Sequence, residues 1–333
     1  MSMGTTIESL GATTVLEAID TDALTLEVAA KRFIADGVCQ LTLRDPRGHR
    51  VPDWTPGSHI DLVLPDDRIR QYSLCGDRWD AHTYQIAILR QDTGRGGSVY
   101  IHDELRVGNR LRTGGPRNNF AMVPAQRYLF VAGGIGITPL LPMIHQAQVL
   151  GVEWSLLYGG RSTRSMAFLS QLSIYGDRVT VWPHDEHGSL DLAAALVAQP
   201  AGTKVYCCGP ASLLAAVEKL GKDWPTGSIR VERFVPKTLH APIRDEPFEV
   251  HLQRSDVTVT VSPGTSILDA ITSSGIVVLS SCRQGTCGTC ETRLLSGTPD
   301  HRDSLLNDDE RARGDCLLVC VSRACSDRLV LDL

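Results

Sequence analysis

Residues 282–290 read Cys-Arg-Gln-Gly-Thr-Cys-Gly-Thr-Cys, and a fourth cysteine follows after 29 intervening residues. The spacing C-x4-C-x2-C with a distant fourth cysteine is the plant-type arrangement of ligands for a 2Fe–2S cluster. Glycines within the loop allow a tight backbone path, and the small threonines leave room for backbone N–H groups to reach the sulfurs. The predicted ligands are Cys282, Cys287, Cys290 and Cys320.

Other interpretations of these cysteines stay open at this point. A structural zinc site usually has two close pairs of Cys or His ligands, whereas this region contains one C-x2-C pair. The cysteines could also be unrelated buried side chains. Cys316 and Cys325 flank Cys320 in the sequence, and either could replace it as the fourth ligand.

The composition sets limits on the class of protein. The chain has 333 residues, of which 42% are hydrophobic, enough for two or three domains with their own cores. No run of 18 apolar residues occurs and residues 1–14 lack a signal-peptide pattern, so we expect no membrane contact and no secretion. A thiolate-bound cluster suits a reducing compartment, which favours the cytoplasm over a disulfide-bonded exterior. The net charge of −5 argues against nucleic-acid binding, and a monomer is the default expectation.

Residues 24–123 predict a small antiparallel β-barrel. Apolar or alternating runs at 38–43, 60–64 and 84–89 are separated by Pro and Gly clusters at the spacing of turns. Residues 1–23 lack a clear pattern and are predicted to be an N-terminal arm.

Residues 124–236 predict an α/β domain with a doubly wound parallel sheet. Strand-like apolar runs, separated by helical segments, occupy four stretches: 128–132, 154–158, 179–182 and 204–208. Gly133-Gly134-Ile135-Gly136 follows the first run, and Thr138 and Pro139 suit the N-cap and first position of a helix. Cys208-Gly209-Pro210 ends the fourth run, at the edge where ligands gather in such sheets.

Three prolines and mixed charges between Val235 and Pro247 mark a linker, which we place at residues 237–246. Residues 247–333 then predict an α+β domain of ferredoxin-like, β-grasp type. We expect a hairpin formed by 248–252 and 257–261, a helix over 266–274, and closing strands at 317–321 and 329–333.

Two motifs in the predicted barrel are suited to an anion. Arg70-Gln71-Tyr72-Ser73 offers a guanidinium fork, an aromatic face and a hydroxyl. Gly94-Arg95-Gly96-Gly97-Ser98 can crowd backbone N–H groups around a phosphate, next to a helix expected to start near Ser98. An exposed turn and a flexible hairpin loop are the alternatives.

Taken in order, these motifs resemble those of the phthalate dioxygenase reductase family, within the wider ferredoxin–NADP reductase-like superfamily. The resemblance covers residues 24–333 and includes Glu232-Arg233-Phe234. It implies a flavin barrel, a pyridine-nucleotide domain and a C-terminal plant-type ferredoxin.

The resemblance also implies site residues. Those expected at FMN are Arg70, Gln71, Tyr72, Ser73, Ala87, Ile88, Leu89, Arg95, Gly96, Gly97, Ser98, Val99, Tyr100, Thr138 and Phe234. Those expected at NADH are Gly133, Gly134, Gly136, Cys208, Gly209 and Pro210. Hydride transfer is expected near Ser73, Thr138, Cys208 and Phe234. No general acid, base or covalent nucleophile is required, so the histidines are expected to be structural or at the surface. His102, just after the Gly-Gly-Ser loop, is the one candidate among them.

The function implied is electron transfer from NADH through FMN and the 2Fe–2S cluster to a partner oxygenase, Rieske-type or haem-dependent, in the catabolism of aromatic or related compounds. FMN is favoured over FAD by the domain order and the Gly-Gly-Ser loop. NADH is favoured over NADPH, although Arg161 and Arg164 could meet a 2′-phosphate. A diaphorase that reduces small acceptors directly is the alternative enzyme. A redox sensor is disfavoured because the chain has no basic DNA-binding segment or output domain.

Overall fold

The computed structural model describes residues 24–197 and 199–333, so the predicted arm at 1–23 lies outside the described residues. The described residues form two compact units, 24–238 and 239–333. Within these ranges, no helix combines the length and the apolar character needed to cross a membrane.

The first half of unit 24–238 is a six-stranded antiparallel sheet with the order β4-β3-β6-β1-β2-β5. Its strands are β1 Leu24–Ala35, β2 Val38–Arg44, β3 His59–Leu64, β4 Arg68–Ser73, β5 Thr83–Leu89 and β6 Arg110–Arg117. One short helix, α1 Gly97–Asp103, follows β5. Alternate side chains of the strands, such as Leu41, Ile60 and Ile86, are fully buried and fill the barrel interior.

The second half of this unit is a parallel sheet with the order β11-β10-β7-β8-β9. Its strands are β7 Arg127–Gly133, β8 Glu153–Gly160, β9 Val179–Pro183, β10 Thr203–Cys208 and β11 Ile229–Glu232. Its described helices are α2 Leu140–Val149, α3 Leu169–Leu172, α4 His184–His187, α5 Leu192–Val197 and α6 Ala211–Leu220. The strand order reverses between β7 and β10, and ligands bind at the carboxyl ends of strands at such a switch point.

A shared hydrophobic core joins the two halves of this unit. Val38 and Ala87 of the barrel are buried in the same cluster as Phe130, Ile137 and Leu140 of the α/β part. Because this packing fixes the two halves against each other, the barrel and the switch point can contribute side chains to one site.

Unit 239–333 contains a five-stranded mixed sheet with the order β13-β12-β18-β14-β16. The strands of this sheet are β12 Phe248–Leu252, β13 Val257–Val261, β14 Glu291–Ser296, β16 Cys316–Leu318 and β18 Arg328–Leu331. Two further strands, β15 Pro299–Asp300 and β17 Arg323–Ala324, pair with each other in a separate sheet. The helices of this unit are α7 Ile267–Ser273 and α8 Asp308–Arg313. Strand β12 pairs parallel with β18 and antiparallel with β13, and α7 packs its buried face on this sheet. The predicted fold class, with all three types of domain, is confirmed.

Two local expectations were wrong. Strand β16 ends at Leu318 instead of continuing to Val321, because Val321 and Ser322 donate their N–H groups back to the Leu318 carbonyl in a turn that carries Cys320. Helix α2 begins at Leu140 with Pro139 as its N-cap. Thr138 instead closes a 3-10 turn, and its hydroxyl bonds to the carbonyl of Ile135 at 3.0 Å.

Candidate active site and metal centre

A glycine loop and an arginine form a cradle at one edge of the barrel. The Arg70 guanidinium donates to the Arg95 carbonyl at 2.7 Å. A Cβ at Gly97 would lie 2.8 Å from the Arg70 side chain, and Gly96 has φ +74°, so both positions favour glycine. The cradle therefore brings the predicted Arg70 and the 95–98 loop together, with two arginines and the first N–H groups of α1 on one surface.

Helix α1 is held at its other end by a lysine that the sequence did not single out. Lys31 on β1 donates to the carbonyls of Ile101, His102 and Leu105 at 2.6, 2.7 and 2.9 Å. The imidazole Nε2 of His102 lies 2.9 Å from the Ile88 carbonyl oxygen. The lysine fixes the end of α1 to β1, and His102 has a structural role because it fixes α1 to β5, the strand that carries residues 87–89.

The remaining barrel residues expected at the flavin divide between two faces. Ile88 is buried in the barrel interior, so only its backbone faces the other side, whereas Ala87 and Leu89 pack towards the α/β part.

Tyr72 is partly buried, and burial raises the pKa of its phenol. Gln71 donates to Asp61 at 2.9 Å. Ser98, Val99 and Tyr100 are half-buried in the first turn of α1, and the Ser98 hydroxyl accepts from the Gln91 N–H at 3.0 Å.

At the switch point, the two glycine turns pack directly on each other. A Cβ at Gly136 would lie 2.2 Å from the Cys208 carbonyl oxygen, and one at Gly133 would lie 2.6 Å from Pro210. A Cβ at Gly209 would lie 2.9 Å from Gly133 Cα. Only glycine permits this approach, so the two predicted nucleotide motifs meet at the carboxyl ends of β7 and β10.

A carboxylate joins the barrel to the switch point. The Ser73 hydroxyl, at the end of β4, lies 3.4 Å from Glu232 Oε2, and the Cys208 sulfur lies 3.8 Å from the same oxygen. Burial raises the pKa of Glu232 to about 8, although the hydrogen bonds from Ser73 and Cys208 favour its ionised form. Burial, followed by the Glu232 charge, raises the pKa of the Cys208 thiol well above its usual value. The carboxyl group is thus held neutral at pH 7.

Glu232 is a residue whose role the sequence did not reveal. It belongs to the quoted Glu-Arg-Phe motif, but only the fold brings it to Ser73, 159 positions earlier in the chain. Thr138 is buried on the same edge, and Phe234, just beyond β11, is 44% exposed. Of the four side chains expected near hydride transfer, Ser73 and Cys208 share the contact with Glu232, whereas Thr138 and Phe234 follow strands β7 and β11.

The two arginines considered for a 2′-phosphate differ in their contacts. The Arg164 guanidinium pairs with Asp36 at 3.1 Å, while Arg161 is an exposed residue immediately after β8. The ion pair thus ties the Arg164 guanidinium to Asp36, a residue of the same compact unit, whereas Arg161 is exposed.

The four predicted cluster ligands lie together as two pairs. The Cys282 N–H donates to the Cys287 sulfur at 3.4 Å, and the Gln284 N–H donates to the Cys282 sulfur at 3.3 Å. The Cys287 thiol lowers the pKa of Cys282 to about 5, and the Cys290 thiol lowers that of Cys320. Two thiols for each of two irons is the requirement of a 2Fe–2S cluster, and backbone N–H groups aimed at sulfur match its negative charge. The residues present fit this group.

The two alternative cysteines have other partners. Cys316 is hydrogen-bonded to the carboxylates of Glu291 and Asp315, and burial raises its pKa to about 12. The Cys325 sulfur lies 3.8 Å from the Pro299 carbonyl oxygen. Neither is paired with Cys290, whereas Cys320 is.

Comparisons with known proteins agree with this arrangement. The model of the 2Fe-2S iron-sulfur cluster binding domain matches residues 250–325. Phenoxybenzoate dioxygenase subunit beta of Ectopseudomonas oleovorans is 42% identical over 312 residues, which cover 93% of this chain and 97% of that protein. The solved structure of phthalate dioxygenase reductase, a modular structure for electron transfer from pyridine nucleotides to 2Fe–2S, is 35% identical with a TM-score of 0.69, covering 97% of this chain and 100% of that one.

A longer solved protein contains a similar part. The intact type IV self-sufficient cytochrome monooxygenase is 43% identical with a TM-score of 0.88, over 93% of this chain. This chain spans 41% of that one.

The barrel, the doubly wound domain and the ferredoxin domain together define an iron–sulfur reductase of the ferredoxin–NADP reductase-like superfamily. The chain belongs to the phthalate dioxygenase reductase family. It is an oxidoreductase, the reductase component of an oxygenase system, and the predicted set of FMN, NADH and a 2Fe–2S cluster is confirmed as the set of this family. The zinc interpretation was wrong.

Proposed function

We propose that NADH and FMN meet where the barrel faces the switch point, between Ser73, Thr138, Cys208 and Phe234. The observation that carries this proposal is the contact of Ser73 and Cys208, from two different halves of the unit, with the one carboxyl group of Glu232. A site for transfer between two ligands needs a wall from each binding half, and this contact supplies both.

FMN would be held by the cradle of Arg70 and the loop at α1. The guanidinium and the N–H groups of Gly97 and Ser98 suit a terminal phosphate. The full set proposed for FMN is Arg70, Gln71, Tyr72, Ser73, Ala87, Ile88 through its backbone, Leu89, Arg95, Gly96, Gly97, Ser98, Val99, Tyr100, Thr138 and Phe234. NADH would lie along Gly133, Gly134, Gly136, Cys208, Gly209 and Pro210, where the two glycine turns meet at the carboxyl ends of β7 and β10.

When bound, FMN supplies the conversion of a two-electron hydride from NADH into single electrons for the cluster. The protein's own residues orient the two ligands and set the charge around them. The Ser73 hydroxyl holds a proton directed at Glu232, and the neutral carboxyl adds no negative charge to a site that receives a hydride. Phe234 is exposed, so its planar ring is free to stack on one ligand ring or to move aside for another.

In the ferredoxin domain, we assign Cys282 and Cys287 to one iron and Cys290 and Cys320 to the other. Their pairwise sulfur contacts support this assignment over Cys316 or Cys325. We further propose domains at 24–123, 124–236 and 247–333, with a linker at 237–246.

The electrons would pass to a terminal oxygenase, Rieske-type or haem-dependent, of aromatic or related catabolism, as the names of the relatives suggest. The partner determines the substrate oxidised. We propose a cytoplasmic monomer that binds neither nucleic acid nor membrane. None of the ten cysteines, all within the described ranges, forms a disulfide, which supports the cytoplasm, and the net charge of −5 argues against nucleic acid.

An anaerobic titration with NADH tests the proposal. We expect the flavin and cluster absorbance to bleach together, with about three electrons accepted per chain. Bleaching of the flavin alone would favour the diaphorase.

A cluster-free variant, Cys290→Ser, further distinguishes the oxygenase reductase from the diaphorase. It should still reduce ferricyanide but lose turnover with an oxygenase, whereas the control Cys316→Ser should keep both activities. Oxygenase turnover by the Cys290→Ser variant would overturn the relay.

A further inference from the structure

The cysteine loop rests on a segment that lies 18 to 19 residues further along the chain. The Ser304 N–H donates to the Gly285 carbonyl at 2.9 Å. Gly285 has φ +70°, and a Cβ there would lie 3.0 Å from Asp303 Cα and 2.6 Å from Val321. Backbone therefore touches backbone at this point, and a shift of residues 303–304 must move Gly285.

Gly285 directly follows the donor to one cluster ligand. The Gln284 N–H donates to the Cys282 sulfur at 3.3 Å. Hydrogen bonds from the backbone to ligand sulfurs stabilise the extra negative charge of a reduced cluster, and they raise its reduction potential.

A buried carboxylate holds the supporting segment in shape. Asp303 is 3% exposed, and its Oδ1 accepts from the N–H groups of Leu305 and Leu306 at 2.9 and 2.7 Å. These two bonds close a tight turn around the carboxylate, and the turn begins at Asp303, whose Cα lies against Gly285.

An arginine fixes this turn from the other side. Arg311 Nη2 donates to the Asp303 carbonyl at 2.8 Å and lies 3.7 Å from Oδ1. Arg311 stands on α8, whose start is closed by a reciprocal capping box between Asn307 and Glu310. His301 also faces the carboxylate, with Nδ1 4.0 Å from Oδ2.

We propose that Asp303 is a positioning residue that sets the reduction potential of the cluster. It acts through the turn at 303–306, which holds Gly285 in place and so keeps the preceding Gln284 N–H directed at the Cys282 sulfur. The proposal rests on the proposed function, because it requires Cys282 to be a ligand. Asp303 contributes both hydrogen bonds to Leu305 and Leu306 and a negative charge that Arg311 balances. Mutation can separate these two contributions.

The test compares Asp303→Ala, Asp303→Asn and the control Asp300→Ala in the full-length holoprotein. Asparagine keeps an oxygen acceptor for Leu305 and Leu306, whereas alanine removes it. Asp300 is equally buried in the same segment, at 6% exposed, but it accepts from Ile243 at 3.1 Å and does not support the cysteine loop. The readouts are the midpoint potential of the cluster, the EPR spectrum of its reduced form, and the half-life of the cluster against a chelator.

We expect Asp303→Ala to shift the potential to a more negative value, to change the EPR spectrum and to shorten the cluster half-life about tenfold or more. Asp303→Asn should keep the wild-type EPR spectrum, and Asp300→Ala should match the wild type in potential. A wild-type potential and spectrum in Asp303→Ala, with only a lower unfolding temperature, would overturn the positioning role. Equal spectral changes in the Asn and Ala variants would also overturn it, because they would assign the effect to charge.

The spectrum of the wild-type protein distinguishes a failure of the proposed function from a failure of this inference alone. Absence of a reduced 2Fe–2S signal in the wild type would overturn the proposed function together with this inference. A normal wild-type signal with unaltered variants would overturn the inference alone.

Discussion

The hydroxyl oxygen of Ser73 lies 3.4 Å from Glu232 Oε2, which joins the last residue of barrel strand β4 to the last residue of parallel strand β11. The carboxyl group is held neutral at pH 7 because burial raises its pKa to about 8. The contact gives the proposed transfer site a titratable group that responds to pH just above neutrality.

The rate of flavin reduction by NADH should fall as the pH rises through about 8. Ionised Glu232 would place a negative charge beside a site that must accept a hydride, so the deprotonated protein should react more slowly. The Glu232→Gln variant mimics the neutral carboxyl and should show a rate near the wild-type plateau without the alkaline decline. Stopped-flow absorbance at a series of pH values measures this. An alkaline decline of equal size in the variant would assign the titration to another group.

The same group should make stability depend on pH. The folded protein holds the Glu232 proton up to about 8, whereas an unfolded chain releases it near the ordinary value of 4.5. The contribution is therefore fully present below about 4.5 and is lost as the pH rises through about 8. We expect the unfolding temperature of the wild type to fall relative to that of Glu232→Gln across this window. A constant difference between the two proteins would contradict the raised pKa.

Replacing Gly136 by alanine should disrupt the switch point. The new Cβ would lie 2.2 Å from the Cys208 carbonyl oxygen, so one of the two glycine turns must move. We expect a loss of about 3 kcal/mol or more in the free energy of unfolding, measured with urea, and weaker NADH binding. Gly151→Ala is the control: it has φ +67° and open space, and it should lose only about 1 kcal/mol with normal NADH binding. Equal losses in both variants would rule out the close contact as the cause.

Removing the amine of Lys31 should weaken FMN binding from a distance. In Lys31→Met, three carbonyls at the end of α1 lose their charged donor, and we expect a loss of about 2 kcal/mol or more in unfolding free energy. Because α1 begins at the loop proposed for the phosphate, FMN should also dissociate more readily in a fluorescence titration. Lys204→Met, which removes a single exposed bond to the Gly227 carbonyl, should leave FMN affinity unchanged. Unchanged FMN affinity in Lys31→Met would separate the helix end from the phosphate site.

Local patterns made much of the fold predictable. Buried apolar runs marked β7, β8 and β10, and their positions in the structure differ from the predicted ones by at most two residues at either end. The pattern did not single out β1, β4, β6, β11 or β14, because these strands have mixed burial or lie at sheet edges, and their pairing depends on distant residues. The end of β16 at Leu318 was not predictable from the apolar run 317–319, because the turn is required by Cys320 reaching Cys290.

The sequence by itself determined the groups whose arrangement depends on short spacing: the cysteine loop at 282–290, the glycine turns and the loop at 95–98 that is proposed for the phosphate. Such motifs work through neighbouring backbone groups, and those are fixed along the chain. The tertiary structure alone decided which side chains meet across it. Glu232 reaches Ser73, Lys31 reaches α1, and Asp303 supports Gly285 only because sheet order and core packing bring distant segments together. The neutral state of Glu232 is likewise a property of burial, which no spacing in the sequence records.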